Sequence, residues 1–347
     1  FSPAPTPYQL KQRFMLDPDI HFLNHGSFGA TPIPVHEVQQ EWQRRLEHQP
    51  VKFLARELDG HLRFARESLA GYLGADADDL VYLPNATFGV NLIARSLKLQ
   101  PGDEVLTSNH EYGACDKAWT FACSKTGAHY VRQAIDLPVQ SSAEILEQFW
   151  RGVTPRTKVI FLSHITSPTA LRLPIEAICQ RARAAGVLTI IDAAHTAGQL
   201  PLNLSTLDAD FVTGNLHKWL MAPKGAAFLY ARRDCQALLE PLVVSWGYGD
   251  NPLGNSGSRF IDLLQWTGTY DPSAALSVPA AIDFMQQYQW DDVRRRCHDL
   301  LCSAIAQVCD LTQLLARYPL DSDLFAQMGI APLPVDVDLI DLKSRLY

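Results

Sequence analysis

The sequence predicts an α/β fold: a large domain with a mostly parallel sheet between helices, plus a smaller C-terminal α/β domain. Apolar runs of strand length alternate with helical patterns through the middle of the chain. The helical patterns close near Gly or Pro, as helices do. The 347 residues exceed what a single core usually accommodates, and the pattern changes near residue 273.

The first clear element is a leading helix over 34–49, with Pro34 near its first turn. Buried strands are expected at Leu80–Leu83, Glu104–Thr107, Val159–Leu162, Val187–Ile191, Phe211–Thr213 and Ala226–Tyr230. Helices are expected at Ala86–Leu97, Ala143–Trp150 and Ile175–Ala185, closing near Pro101-Gly102, Pro155 and Gly186. Strand, helix, strand in this order implies a parallel sheet covered on both faces. Beyond 273, Pro279–Tyr288 and Asp291–Leu301 read as helices, and Pro332–Leu342 as a strand followed by the start of a helix. A lone strand at Val335–Leu339 would need partners for its backbone groups, so the native chain is expected to continue past Tyr347.

Composition narrows the function classes. Hydrophobic residues make up 47% and charged residues 19%, ordinary for a globular protein, and the net charge of −7 argues against a nucleic-acid partner. No apolar run reaches about 18 residues, so no membrane helix is expected. The seven cysteines are odd in number and form no C-x-x-C pair, which points to neither a disulfide framework nor a zinc site. They read as cytoplasmic thiols. His21 and His25 have zinc-helix spacing, but Phe22 stands where the catalytic Glu would be, so no metal is expected.

Three segments carry chemistry. Lys218, in Thr213-Gly214-Asn215-Leu216-His217-Lys218-Trp219, sits just past a strand end, where ligands of open α/β sheets bind. A buried lysine there can form an imine with an aldehyde; alone, a surface lysine would be the plainer reading. Asp192, in Ile190-Ile191-Asp192-Ala193-Ala194-His195, follows the preceding strand. It can pair with a protonated pyridine nitrogen, or simply cap a helix. Pro84-Asn85-Ala86-Thr87-Phe88-Gly89 joins a strand to a helix, whose first N–H groups and the Thr87 hydroxyl can hold a phosphate; a plain Asn cap is the alternative.

Together these segments resemble the fold-type I pyridoxal-phosphate (PLP) enzymes of the class V aminotransferase group. Phe22-Leu23-Asn24-His25-Gly26-Ser27-Phe28-Gly29-Ala30, Ser108-Asn109-His110-Glu111-Tyr112-Gly113-Ala114 and Gln265-Trp266-Thr267-Gly268-Thr269 look like its isopenicillin N epimerase-like branch. The resemblance runs from about residue 20 to the end.

It implies a PLP-dependent transferase (aspartate aminotransferase-like) large domain and PLP as cofactor. The implied division is an N-terminal active-site segment at 1–30, the PLP-binding domain at 31–272 and a small, apparently incomplete domain at 273–347. Lys218 matches the Schiff-base lysine, Asp192 the pyridinium partner and His110 the residue stacked on the ring, with Tyr112 a rival. Ala86, Thr87 and His217 match phosphate ligands. Asn215 stands where the family usually has Ser. His195 and Ser167 or Thr169 match contacts near the ring hydroxyl, and Asn24, His25 and Gly26 the substrate pocket. Thr267 and Thr269 match a segment reaching the phosphate of a neighbouring subunit, which implies a homodimer with shared sites. No match to the family's carboxylate-binding Arg occurs before Tyr347; some arginine already present, such as Arg172 or Arg259, would then have to hold the carboxylate.

The implied function is chemistry at Cα or Cβ of a small amino-acid substrate, with Lys218 as base. Epimerisation, β-elimination (cysteine desulfurase or C–S lyase) and transamination stay open, with His25, His110 and Tyr112 as candidates for a second base. A PLP-binding protein without efficient catalysis is a further class. A Rossmann-type nucleotide enzyme is disfavoured, since no G-x-G-x-x-G follows a strand.

Overall fold

Seven strands form one sheet in the computed structural model, which describes residues 6–249 and 256–346. They are β1 (Leu80–Leu83), β2 (Glu104–Ser108), β3 (His129–Gln133), β4 (Thr157–Ser163), β5 (Leu188–Asp192), β6 (Phe211–Asn215) and β7 (Ala227–Ala231). Their order across the sheet is β1-β7-β6-β5-β4-β2-β3. β7 runs antiparallel to both its neighbours, and every other pairing is parallel.

The apolar runs are continuous because both faces of the sheet are covered. Side chains alternate between two cores: Ile160 and Leu162 face one, Val159 and Phe161 the other. The first core includes residues of the helices Ile33–His48, Leu58–Leu73, Ser142–Trp150, Ile175–Ala184 and Val278–Gln287; the second includes residues of the helices Ala86–Ser96, Gly113–Thr126 and Arg259–Leu264. A large-to-small change at a fully buried residue such as Phe161 or Trp119 would cost about 3–5 kcal/mol.

All six expected strands are present to within two residues. β3 gives no such signal in the sequence. It is an edge strand, paired only with β2, and its residues are half-buried or exposed. His129-Tyr130-Val131-Arg132-Gln133 therefore shows no apolar run.

The C-terminal region differs from expectation in two places. The helix expected to stop at Leu301 runs over Trp290–Thr312, because neither Gly nor Pro interrupts it. The strand expected at Val335–Leu339 does not form. Pro332 and Pro334 lack N–H groups for a ladder, and Asp338 instead caps the helix Leu339–Leu346, its Oδ1 accepting from the N–H groups of Ile340 at 2.9 Å and Asp341 at 3.0 Å. From residue 273 onward the described residues are helical or irregular, with no strand. The expectations about Phe1–Pro5 and about the chain at and beyond Tyr347 lie outside the described residues.

Candidate active site

The C-terminal ends of four strands and the first turn of one helix meet at a cavity of about 570 Å³. β4 contributes Ser163 and β5 contributes Asp192, which face each other in parallel register. β6 contributes Asn215 and, just beyond it, His217, Lys218 and Trp219. β1 leads into Asn85, Ala86 and Thr87 at the start of the helix Ala86–Ser96. Two distant segments close the cavity: Leu23–Phe28 from the N-terminal side and Gln327–Gly329 from the C-terminal side.

Glycine lets the N-terminal segment lie against the site. A Cβ on Gly29 would come within 2.2 Å of the carbonyl oxygens of His217 and Lys218. A Cβ on Gly26 would meet Met328 Sδ at 3.4 Å and His195 Cε1 at 3.5 Å.

Lys218 and Asp192 share this cavity. The Asp192 carboxylate is buried, accepting from the Ala194 N–H at 2.8 Å and from the Cys115 thiol at 3.5 Å. Burial raises its pKa, while the Ala194 N–H and Lys218 oppose the rise. Burial also lowers the pKa of Lys218, against the attraction of Asp192. A cation held against Asp192 would oppose that rise and favour its charged form. Lys224, the next lysine along, instead donates to the Gly29 carbonyl at 2.5 Å.

At the helix start, Asn85 Oδ1 accepts from the Phe88 N–H at 2.8 Å, and Asn215 Oδ1 accepts from the Ala86 N–H at 2.9 Å. The Ala86 N–H expected to hold a phosphate is thus taken by Asn215, whose Nδ2 amide remains as a donor. His217 Nδ1 is buried and has no partner. Its imidazole is pushed down to about 4 by burial and by Lys218. An orphaned ring nitrogen on a residue that shares its cavity with Thr87 and a helix N-terminus fits an anionic group. With Lys218 and Asp192 lining the same cavity, the residues fit PLP, the cofactor implied by the resemblance.

Of the expected site residues, Asn24, Gly26, Ala86, Thr87, Ser167, Asp192, His195, Asn215, His217 and Lys218 all line this cavity. His110 does not. Its Nε2 lies 2.7 Å from the Ile135 carbonyl, which can only accept, and its Nδ1 lies 3.0 Å from the Thr169 hydroxyl. Both ring nitrogens are occupied, so His110 joins the loop after β2 to Ile135 and Thr169. Tyr112, two residues on, lines the cavity instead. His25 packs on Phe22 and Phe14, outside the cavity lining, and burial pushes it down to about 4. Thr267 is absent from the lining too, and Thr269 lines a separate cavity with Arg63 and Trp246.

Neither Arg172 nor Arg259 lines the cavity; Arg172 pairs with Asp323 at 3.2 Å. Lys218 is the only Lys or Arg among the described lining residues. The lining residues of the C-terminal region that sequence reasoning missed are Leu301, Gln327, Met328 and Gly329. No local pattern announces their approach. No described residues form a metal-ligand cluster, and no described helix is long and apolar enough to cross a membrane.

A family model described as Aminotransferase class-V matches residues 31–321. Isopenicillin N epimerase of Amycolatopsis lactamdurans is 36% identical, over 97% of this chain and 87% of its own length. A probable chloroplastic L-cysteine desulfhydrase of Arabidopsis thaliana is 31% identical, over 95% of this chain and 73% of its own. The apo structure of a cysteine desulfurase from Thermococcus onnurineus NA1 superimposes with a TM-score of 0.83, covering 100% of this chain and 86% of its own, at 20% identity. That last likeness is one of fold.

Proposed function

This chain belongs to the class V aminotransferase family, and from that premise we propose that it is a PLP-dependent enzyme that removes the Cα proton of an amino-acid substrate, with isopenicillin N epimerase-like chemistry. The observation that carries the reading is that a half-buried lysine, a buried carboxylate and a histidine with an unpartnered ring nitrogen line one cavity. The cofactor supplies an electron sink for the pair left when Cα loses its proton. Lys218 would hold the cofactor, and its Nζ, when free as an amine, would take the Cα proton. Asp192 would favour a protonated pyridine nitrogen. Thr87 and His217 would bind the phosphate. Asn24 and Gly26 border the space left for substrate.

Epimerisation needs a proton donor on the second face. Of His25, His110 and Tyr112, only Tyr112 lines the cavity, so we assign it that role. Cysteine desulfhydrase or C–S lyase chemistry is the second reading, favoured by the 31% identical relative. A desulfurase that parks sulfur on its own thiol is disfavoured, since no cysteine lines the cavity among the described residues. Transamination needs no further residue beyond Lys218. Thr267 and Thr269 complete the site of a second subunit in a C2 homodimer. Seven free cysteines suit a reducing, cytoplasmic setting.

A panel of L-amino acids in deuterated water separates the readings. Epimerisation gives inverted product carrying deuterium at Cα. β-Elimination of L-cysteine gives sulfide, ammonia and pyruvate. A yellow protein that turns over nothing is a PLP-binding protein, and a protein without bound PLP overturns the proposal.

A further inference from the structure

His195 has two ring nitrogens, and each has a neighbour. Nδ1 lies 3.2 Å from the indole Nε1 of Trp219, and Nε2 lies 3.1 Å from Lys218 Nζ. An indole N–H can only donate, so Nδ1 must offer a lone pair. The single proton of the neutral imidazole then sits on Nε2. An imidazolium would set two N–H groups against each other at Nδ1, and burial beside Lys218 already pushes His195 down to about 3. The Nε2–H therefore points at Lys218 Nζ. An ammonium has three N–H groups and no lone pair to receive it, whereas a neutral amine accepts it.

The fold holds this geometry. Gly198 has φ +95°, and a Cβ there would fall 2.2 Å from the carbonyl carbon of Trp219. Any other residue at 198 would force the loop after β5 away from the Lys218–Trp219 segment. Gln199 fixes the other side of that loop: its Nε2 donates to the His195 carbonyl at 2.7 Å, and its Oε1 accepts from the Gln327 N–H at 2.7 Å. Other groups also act on Lys218. Asp192 on β5 and Cys115 on the helix Gly113–Thr126 favour its ammonium, while burial opposes it. His217 and Lys224 lie nearby on the segment after β6. None of these fixes a hydrogen at Nζ as His195 does.

We propose that Trp219 is a positioning residue which, by dictating the tautomer of His195, holds Lys218 as a neutral amine rather than an ammonium. The plain alternative is that Trp219 only fills space beside His25, whose ring centroid is 6.4 Å away. The proposal rests on the proposed function only in taking Lys218 as the reacting amine.

The test uses the full chain, freed of cofactor with hydroxylamine. Nitrogen-15 NMR of His195 reads the tautomer. The pH profile of Lys218 acylation, followed by peptide mass spectrometry, reads the free amine. The parent should show the Nε2–H form. Trp219→Phe keeps an aromatic ring but loses the donor, so His195 can turn to the Nδ1–H form and accept from a Lys218 ammonium. The acylation midpoint should then rise by about one pH unit, roughly a tenfold loss of free amine below the midpoint. An Nδ1–H tautomer in the parent overturns the proposal without any variant. So does a Trp219→Phe protein with unchanged tautomer and midpoint, whatever its thermal stability. Cofactor fixed to another lysine would defeat the proposed function, while the tautomer would still decide this proposal.

Discussion

Glu111 accepts two hydrogen bonds from Ser163, at 2.9 Å from its N–H and 2.6 Å from its hydroxyl. Ser163 is the cross-strand neighbour of Asp192, so a second carboxyl lies behind the one that lines the cavity. The Ser108 hydroxyl adds a third bond at 2.6 Å, and all three donors are neutral. Burial pushes Glu111 up to about 7; Asp192 acts in the same direction and the serine donors act against it.

That shift carries a sign for stability. The folded value lies above the unfolded value of 4.5, so between these pH values the unfolded chain loses a proton that the folded protein keeps. Stability is therefore lost as pH rises through this window. Glu111→Gln removes the loss, and its stability relative to the parent should rise by about 3 kcal/mol from pH 4 to pH 8. Denaturant midpoints across that range measure it. A constant difference would show that Glu111 stays charged.

Lys218→Ala should abolish cofactor fixation by borohydride. Peptide mapping of the reduced parent should place the label on Lys218. Lys224 is committed to the Gly29 carbonyl, and label there would refute the assignment.

Asp192→Ala or Asp192→Asn should leave the phosphate contacts intact while removing the charge that holds the ring proton. Turnover is expected to fall by about 100-fold or more, the scale of a lost charge-assisted hydrogen bond worth roughly 3 kcal/mol. A variant with near-parental kcat would contradict this role.

Thr269 lines a cavity apart from Lys218, with Arg63, Trp246 and Trp266. If Thr267–Thr269 serves a second subunit, sedimentation should show a dimer, and mixing inactive Lys218→Ala with inactive Thr267→Ala chains should restore part of the activity through hybrid dimers. A fully active monomer would contradict the shared site.

The sheet's buried strands, and the two residues that follow them, can be read from local sequence. A strand covered on both faces must be apolar throughout, so Ile190-Ile191 and Phe211-Val212 announce themselves, and Asp192 and Lys218 follow from where those runs stop. β3 is not legible, because an edge strand with one neighbour carries no such run. Which nearby polar residues face the cavity is settled by packing alone. His110 and Tyr112 stand two positions apart, and no periodicity says that Ile135 and Thr169 occupy the first while the second stays at the cavity. The same holds for Gln327, more than 100 positions from Lys218, and for the His195 tautomer, which depends on an indole N–H that reaches it through the loop contact at Gly198. Burial on a strand is a local property repeated along the chain; a hydrogen-bond partner across loops is set by packing, which no short stretch of sequence records.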